Sequence, residues 1–471
     1  MKTKRNGGDI ITFRRLAWLY ATLLASVAVA FSETKAKAKH QRPSPRPRRQ
    51  NSKPAPSLQV KLQSCFTPDN ILEDVALLLT PKVDSTGSLS SMTLVRLSKQ
   101  LISLENKRNN NHGHDDSSAE EKFSIAKSDR GLWDAGLKNA VRCMSLSDWI
   151  ESKNSLEAAV EGIKAASVIS RLLPKCEDSD DGGINQDLWW KPLLEKIEKE
   201  DQRLVPVIQP HQLSGLKWSI DCFRLSTEDA DFSQQYLPKH LQQAYDDLDL
   251  PFAIRPGFLR KISARNAKSS PRDREDENDF SVATFVDQVD FRVETIQTTS
   301  KRAVAERRQT AWQGDDHVAP FEYSGKSMQR MPWSPIVAAV RDRLFVETSH
   351  YYDGCLLNLY PDGGSGMRYH IDPDQGVRWG FETVVVSIGA TRRFAFRSIV
   401  DNGGEKGRSV GSTKGAIDSK PHMFVLMEGD VTEMIRDCQE RFQHTVKTAE
   451  SKGETAPRVS LVFKKTLTNQ K

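Results

Sequence analysis

The sequence predicts a multidomain chain: an α-helical N-terminal region followed by a β-rich domain built as a sandwich or barrel. Three observations carry this. At 471 residues the chain exceeds one ordinary domain. Apolar residues recur at helical spacing from about 58 to 260. From about 281 they give way to short β-favouring runs separated by Gly, Asn and Asp. The hydrophobic share of 38% suits folded domains joined by polar linkers.

The first segment is a targeting pattern. Lys2, Lys4, Arg5, Arg14 and Arg15 precede LAWLYATLLASVAVAF, whose 16 residues suit a signal-peptide core better than a membrane span. Ala28-Val-Ala30 supplies the small-residue cleavage pattern, so residues 1–30 read as signal-like. Residues 31–57 are basic, Ser/Pro-rich and nearly free of acid, a transit-like composition. Together they resemble the bipartite plastid presequence of algae with secondary plastids, and plastid location is expected; a plain secretory signal or a membrane anchor is the alternative. No later segment is apolar enough to span a bilayer, so no stable span is expected once the presequence is removed. Residues 1–57 hold 13 Lys+Arg against 2 acids, so of the formal +6 the rest of the chain carries −5. A grip on nucleic acid must therefore come from local patches. Six scattered cysteines without a C-x-x-C argue against a disulfide framework or zinc knuckle and fit a reducing compartment.

Residues 58–262 read as helical. Leu94, Leu97, Leu101 and Leu104 share a helical face, as do Leu213, Leu216, Ile220 and Phe223. SLEAAVEGIKAASVISRLL opens on Ser155 as N-cap, and GLKNAVRCM reads as a further short helix. The region faintly resembles organellar RNA-binding helical repeats, without a fixed period; a plain helical bundle is the alternative. The tract 106–121 reads as a disordered loop and 263–280 as a charged linker. From 281, CLLNLY, ETVVVSIGA, RRFAFR, HMFVLMEGD and RVSLVFKKT read as strands, with a long surface loop at 398–420 and a helix at IVAAVRDRL.

Chemistry concentrates in NLYPDGGSGMRYHIDPD. On a strand, residues i and i+2 share a face, so His370 and Asp372 project together, as do Asn358 and Tyr360. His444 offers a third ligand; two His and one carboxylate with open positions form the facial triad of non-haem Fe(II) oxygenases. Arg458, Ser460, Val462 and Lys464 share one face of RVSLVFKKT, and a buried Arg there calls for an anion, which a dicarboxylate cosubstrate supplies.

The order N-x-Y, Gly-rich turn, H-x-D, S-x-G-A-x-R-x-F-x-F-R, distal His and P-R-V-S-L-x-F-K-K resembles the AlkB-like Fe(II)/2-oxoglutarate dioxygenases over roughly 295–467. The resemblance implies a double-stranded β-helix (a jelly roll) at 281–471. It implies Fe(II) on His370, Asp372 and His444, which are also the catalytic residues, with 2-oxoglutarate and O2 as cosubstrates. Arg458 would pair with the distal carboxylate of 2-oxoglutarate, and Asn358, Tyr360 and Lys464 would complete that site. Lys464 stands where the family has a second Arg and loses its fork; Ser460 stands where many members have Asn. Asp374, placed on the face of Asp372, matches an acidic residue that contacts the base, while Pro373 and Gln375 depart from the family's acidic run. RRQTAWQG and FEYSGKSMQRMPWSP would form a substrate-side lid. There Lys301, Arg302, Arg307 and Arg308 form a basic cluster for phosphates, and Trp312 and Tyr323 are candidates to stack on a base. The implied activity is oxidative demethylation of N-methylated bases in RNA or single-stranded DNA, releasing formaldehyde, succinate and CO2. A protein hydroxylase or demethylase with the same iron chemistry is the alternative, as is a non-catalytic organellar RNA-binding protein with a degenerate barrel. The oligomeric state is not legible.

Overall fold

The computed structural model describes residues 88–111, 137, 153–173, 187–224, 237–259, 280–297, 302–399, 420–450 and 453–467. The segments expected to be targeting signals, the short helix expected at 136–144 apart from Leu137, the expected charged linker apart from Phe280 and nearly all of the loop expected at 398–420 lie outside them.

The helical half begins with α1 (Ser88–Asn111), α2 (Lys153–Leu172), α3 (Asp187–Lys199) and α4 (Asp201–Leu204). It ends with α5 (Pro210–Arg224) and α6 (Lys239–Asp247). The apolar stripes read from spacing are the buried ones: Leu94, Leu97 and Leu101 of α1 meet Leu156, Val160 and Ile163 of α2 and Leu213, Leu216, Ile220 and Phe223 of α5. Helices α1 and α2 touch closely where Gly162 faces Ser91; a Cβ at 162 would lie 2.7 Å from the Ser91 hydroxyl. Two local expectations change. Helix α2 already runs from Lys153, so Ser155 lies inside it and not at its start. The start of the 106–121 tract is the last turn of α1, and Asn106 is 2% exposed. No helix among the described residues is long and apolar enough to cross a membrane.

The β half contains β1 (Phe252–Arg255), β2 (Arg292–Gln297), β3 (Ala303–Gly314), a small hairpin of β4 (Phe321–Tyr323) and β5 (Lys326–Met328), and β6 (Gly354–Tyr360). There follow β7 (Met367–His370), β8 (Trp379–Gly389), β9 (Arg392–Ser398), β10 (His422–Leu426), β11 (Val431–Met434), β12 (Phe442–Val446) and β13 (Arg458–Thr466). A seven-stranded antiparallel sheet has the order β1-β11-β8-β13-β6-β3-β2 and a four-stranded sheet the order β10-β9-β12-β7. Two facing antiparallel sheets fit the expected jelly roll. Helices α7 (Val282–Gln288) and α8 (Pro335–Thr348) cover the outer face of the larger sheet, where Phe285, Ile336, Val337 and Val340 meet Val384, Val386, Ile388 and Leu461. Alternation then turns Thr383, Val385 and Ser387 of β8 inward.

The β half does not begin at 281. Strand β1 precedes the expected linker yet pairs with β11, and Phe252 stacks on Phe396 at 4.0 Å. Helix α5 lies against β10 and β1, which are edge strands of their two sheets, and Trp218 joins Phe252 and Phe424 in one core. An edge covered by a helix has no free backbone to pair with another chain.

Candidate active site

His370 and His444 meet because β7 and β12 pair with these two residues directly opposite. Their ring centroids lie 4.2 Å apart. Strand β7 ends at His370, so Asp372 lies beyond it, just before a turn, and strand alternation is not what aims it. Its backbone N–H is fixed by the Gln439 side-chain oxygen at 2.9 Å. Asp372 Oδ1 lies 3.7 Å from His370 Nε2 and 3.6 Å from His444 Nε2. One ligand atom from each residue lies within 4.8 Å of the other two, a geometry that could hold a metal ion.

Surrounding groups prepare these atoms. His370 Nδ1 donates to the Arg368 carbonyl at 2.9 Å, which leaves Nε2 with its lone pair toward Asp372. Lys464 Nζ donates to Asp372 Oδ2 at 2.8 Å, which leaves Oδ1 for the histidine side. Burial alone would raise the Asp372 pKa, but Lys464, then His444 and His370, hold it well below the usual carboxylate range. Burial, then the neighbouring His370, pushes His444 down to about 3, and burial lowers His370 too. At neutral pH the trio is therefore two neutral imidazoles and one carboxylate, the protonation state that metal binding requires.

The second constellation lies along β6 and β13. The register pairs Arg458 with Tyr360 and Ser460 with Asn358, so these four side chains share the inner face. Arg458 is 0% exposed. Its Nη2 donates to Ser387 Oγ at 2.6 Å and its Nη1 to the Ala390 carbonyl at 3.3 Å. Among the described residues its Nε is buried without a partner, and no carboxylate forms an ion pair with it. Burial pushes its pKa down to about 10. Asn358 Oδ1 and Ser460 Oγ are likewise buried and unpartnered. Such a guanidinium, beside unsatisfied polar atoms, is costly unless an anion meets it. A dicarboxylate such as 2-oxoglutarate fits this socket.

Several expected contacts differ. Lys464 does not face the socket: it is spent on Asp372, with Gln375 Oε1 and Thr383 Oγ1 each at 3.3 Å. RRQTAWQG is not a lid but strand β3 inside the large sheet. Trp312 is 1% exposed, wedged between Phe321 and Trp379, and its indole N–H donates to the Ala319 carbonyl, so no base can stack on it. Arg308 is buried and bonds Glu306 and the Tyr323 hydroxyl, both at 3.0 Å. Lys326 joins the same Glu306 at 2.7 Å and sits 4.3 Å over the Tyr323 ring, which occupies one face of that aromatic. Of the basic cluster, Arg302 and Arg307 are exposed, and Lys301 lies outside the described residues. Asp374 sits in a left-handed turn (φ 58°), half-exposed, with its carboxylate 3.6 Å from Arg378.

Sequence reasoning missed Gln439, Ser387 and Glu306. Ser387 had a signal, since it opens S-x-G-A on an inward-facing row; Gln439 and Glu306 matter only through contacts across the fold.

Residues 269–464 match the family model of the 2OG-Fe(II) oxygenase superfamily. The chain is 31% identical over 168 residues to uncharacterized protein R406 of Acanthamoeba polyphaga mimivirus, covering 36% of this chain and 77% of that protein. It is 28% identical over 164 residues to the DNA oxidative demethylase ALKBH2 of Bos taurus, covering 35% of this chain and 55% of that one. A shorter match, 32% over 91 residues, joins it to the alpha-ketoglutarate-dependent dioxygenase alkB homolog 3 of Mus musculus, covering 19% of this chain and 31% of the other. The chain thus spans about half the length of the bovine protein. It belongs to the 2OG-Fe(II) oxygenase superfamily, as an AlkB-like 2-oxoglutarate-dependent dioxygenase that uses Fe(II), 2-oxoglutarate and O2.

Proposed function

We propose that this enzyme oxidatively demethylates N-methylated bases in RNA or single-stranded DNA, releasing formaldehyde, succinate and CO2. The observation that carries the reading is the convergence of His370, Asp372 and His444. Similarity to the bovine demethylase supports the substrate class.

In this reading His370, Asp372 and His444 hold the iron. Arg458, with Asn358 and Tyr360, holds 2-oxoglutarate by its distal carboxylate. Bound iron with 2-oxoglutarate and O2 supplies the oxidising power that hydroxylates the methyl carbon, after which formaldehyde leaves the base. The chain's part is to position and to exclude water. Lys464 keeps Asp372 ionised and turned. The His370 side chain is 28% exposed against 6% for His444, so substrate approaches over His370. In this reading the exposed Arg302 and Arg307 take phosphates and Asp374 takes the base. A base in single-stranded nucleic acid reaches such a site without the cost of being flipped from a duplex.

One observation favours a protein hydroxylase instead: Glu306 neutralises Arg308 and Lys326, which thins the basic surface. The two readings part on a panel of methylated oligonucleotides and methylated peptides incubated with the full chain, Fe(II) and 2-oxoglutarate. A loss of 14 mass units with formaldehyde release from an oligonucleotide, roughly one methylene per target base, is expected. Turnover of peptides alone would overturn the nucleic-acid reading.

A further inference from the structure

We propose that the helical half positions 2-oxoglutarate: Asn106 of α1 and Arg171 of α2 brace, from outside the barrel, the two groups that hold the Arg458 guanidinium. The proposal rests on the reading that Arg458 takes the distal carboxylate of the cosubstrate.

Among the described residues the Arg458 guanidinium has two hydrogen-bond partners, the Ser387 hydroxyl and the Ala390 carbonyl, and one helix stands behind each. Thr391 follows Ala390 directly. Its N–H donates to Asn106 Oδ1 at 2.8 Å, and Asn106 Nδ2 returns a bond to its carbonyl at 3.4 Å. Ser387 is braced through Asp430. The Ser387 N–H donates to the Asp430 carbonyl at 2.9 Å, and the Gly429 N–H donates to the Ser387 carbonyl at 2.8 Å. The Asp430 carboxylate is fully buried and gripped by both Arg171 terminal nitrogens, at 2.9 and 2.6 Å. The backbone N–H groups of Gly257 and Met427 complete its bonds at 2.6 and 2.8 Å. Both ends of the segment 387–391 that frames the socket are thus tied to helices. Apolar contacts such as Trp218 on Phe424 hold the layers together without direction. These two polar contacts are directed: one lands on the residue after Ala390, and the other on Asp430, whose backbone bonds that of Ser387. A guanidinium gains its bidentate strength only at fixed geometry, so a slack partner weakens carboxylate binding before it weakens the fold.

The test uses the full-length chain loaded with redox-inert Mn(II) and calorimetric titration of two ligands. One is 2-oxoglutarate; the other is 2-oxobutanoate, which keeps the 2-oxo acid end and lacks the distal carboxylate. Asn106→Ala should weaken 2-oxoglutarate about tenfold and leave 2-oxobutanoate within about twofold. Asn106→Asp keeps the acceptor for the Thr391 N–H and should fall between wild type and Asn106→Ala. Equal weakening of both ligands, or no change in a variant that melts like wild type, overturns the positioning role. Arg458→Met separates the premises: if it too leaves 2-oxoglutarate affinity unchanged, the socket reading fails and takes the proposal with it. If it weakens 2-oxoglutarate while Asn106→Ala does not, only the role of the helices falls.

Discussion

Lys464 shows how one side chain can keep its charge and change its task. The sequence set it against the cosubstrate, whereas the fold gives it to Asp372 Oδ2 at 2.8 Å, deep in the barrel. Lys464→Met should lower divalent-metal affinity about 10- to 100-fold, because the carboxylate would lose both its ionising partner and its orientation; fluorescence-detected Mn(II) titration measures this. His444 makes a second prediction. Its folded pKa of about 3 lies below the ordinary histidine value, so the unfolded chain binds its proton first as the medium turns acid. Stability of the metal-free protein should therefore fall between about pH 6.5 and 3, by at most about 1.4 kcal/mol per pH unit from this residue. His444→Phe should flatten that slope in melting curves, and an unchanged slope would refute the assignment.

At the scale of elements, register does what residue types cannot. Antiparallel pairing of β7 with β12 sets His444 opposite His370, and pairing of β13 with β6 sets Arg458 opposite Tyr360. The strands were legible because alternation and β-branched runs survive in RVSLVFKKT and ETVVVSIGA. Strand β3 escaped because its Arg308 and Trp312 resemble binding residues until their partners, Glu306 and Phe321, are seen. The end of β8 is equally constrained. Gly389 has φ 79°, and a Cβ there would lie 2.3 Å from Val282 Cγ2 and 2.8 Å from the Pro457 carbonyl. Gly389→Ala should cost at least about 2 kcal/mol, from left-handed strain and overlap together, visible as a lower urea midpoint.

At the scale of the whole molecule, the helical half and the barrel share one core. Val168, Trp218 and Cys222 pack with Phe252, Phe424 and Phe396, and Arg171 neutralises the buried Asp430. A fragment of residues 281–471 would expose that face, lose β1 and leave Asp430 buried without its cation. It should fail to fold cooperatively, with dye binding to exposed apolar surface and no sharp melting transition; a sharp transition like that of the full chain would contradict this. In the full chain, Arg171→Ala should cost about 3–5 kcal/mol, the penalty of stranding a buried carboxylate, read by chemical denaturation.

The sequence by itself determined the buried stripes of α1 and α5, strands β6, β8, β9, β10 and β13, the His-x-Asp with its distal His and the buried Arg. Periodicity and metal-ligand chemistry are local properties that residue types and spacing express directly. Only the tertiary structure decided that Lys464 serves Asp372, that Trp312 and Arg308 are interior, and that the helical half is built into the barrel wall. Each of those facts is a contact between residues distant in the chain, and no spacing along the chain encodes which charge a buried lysine will meet.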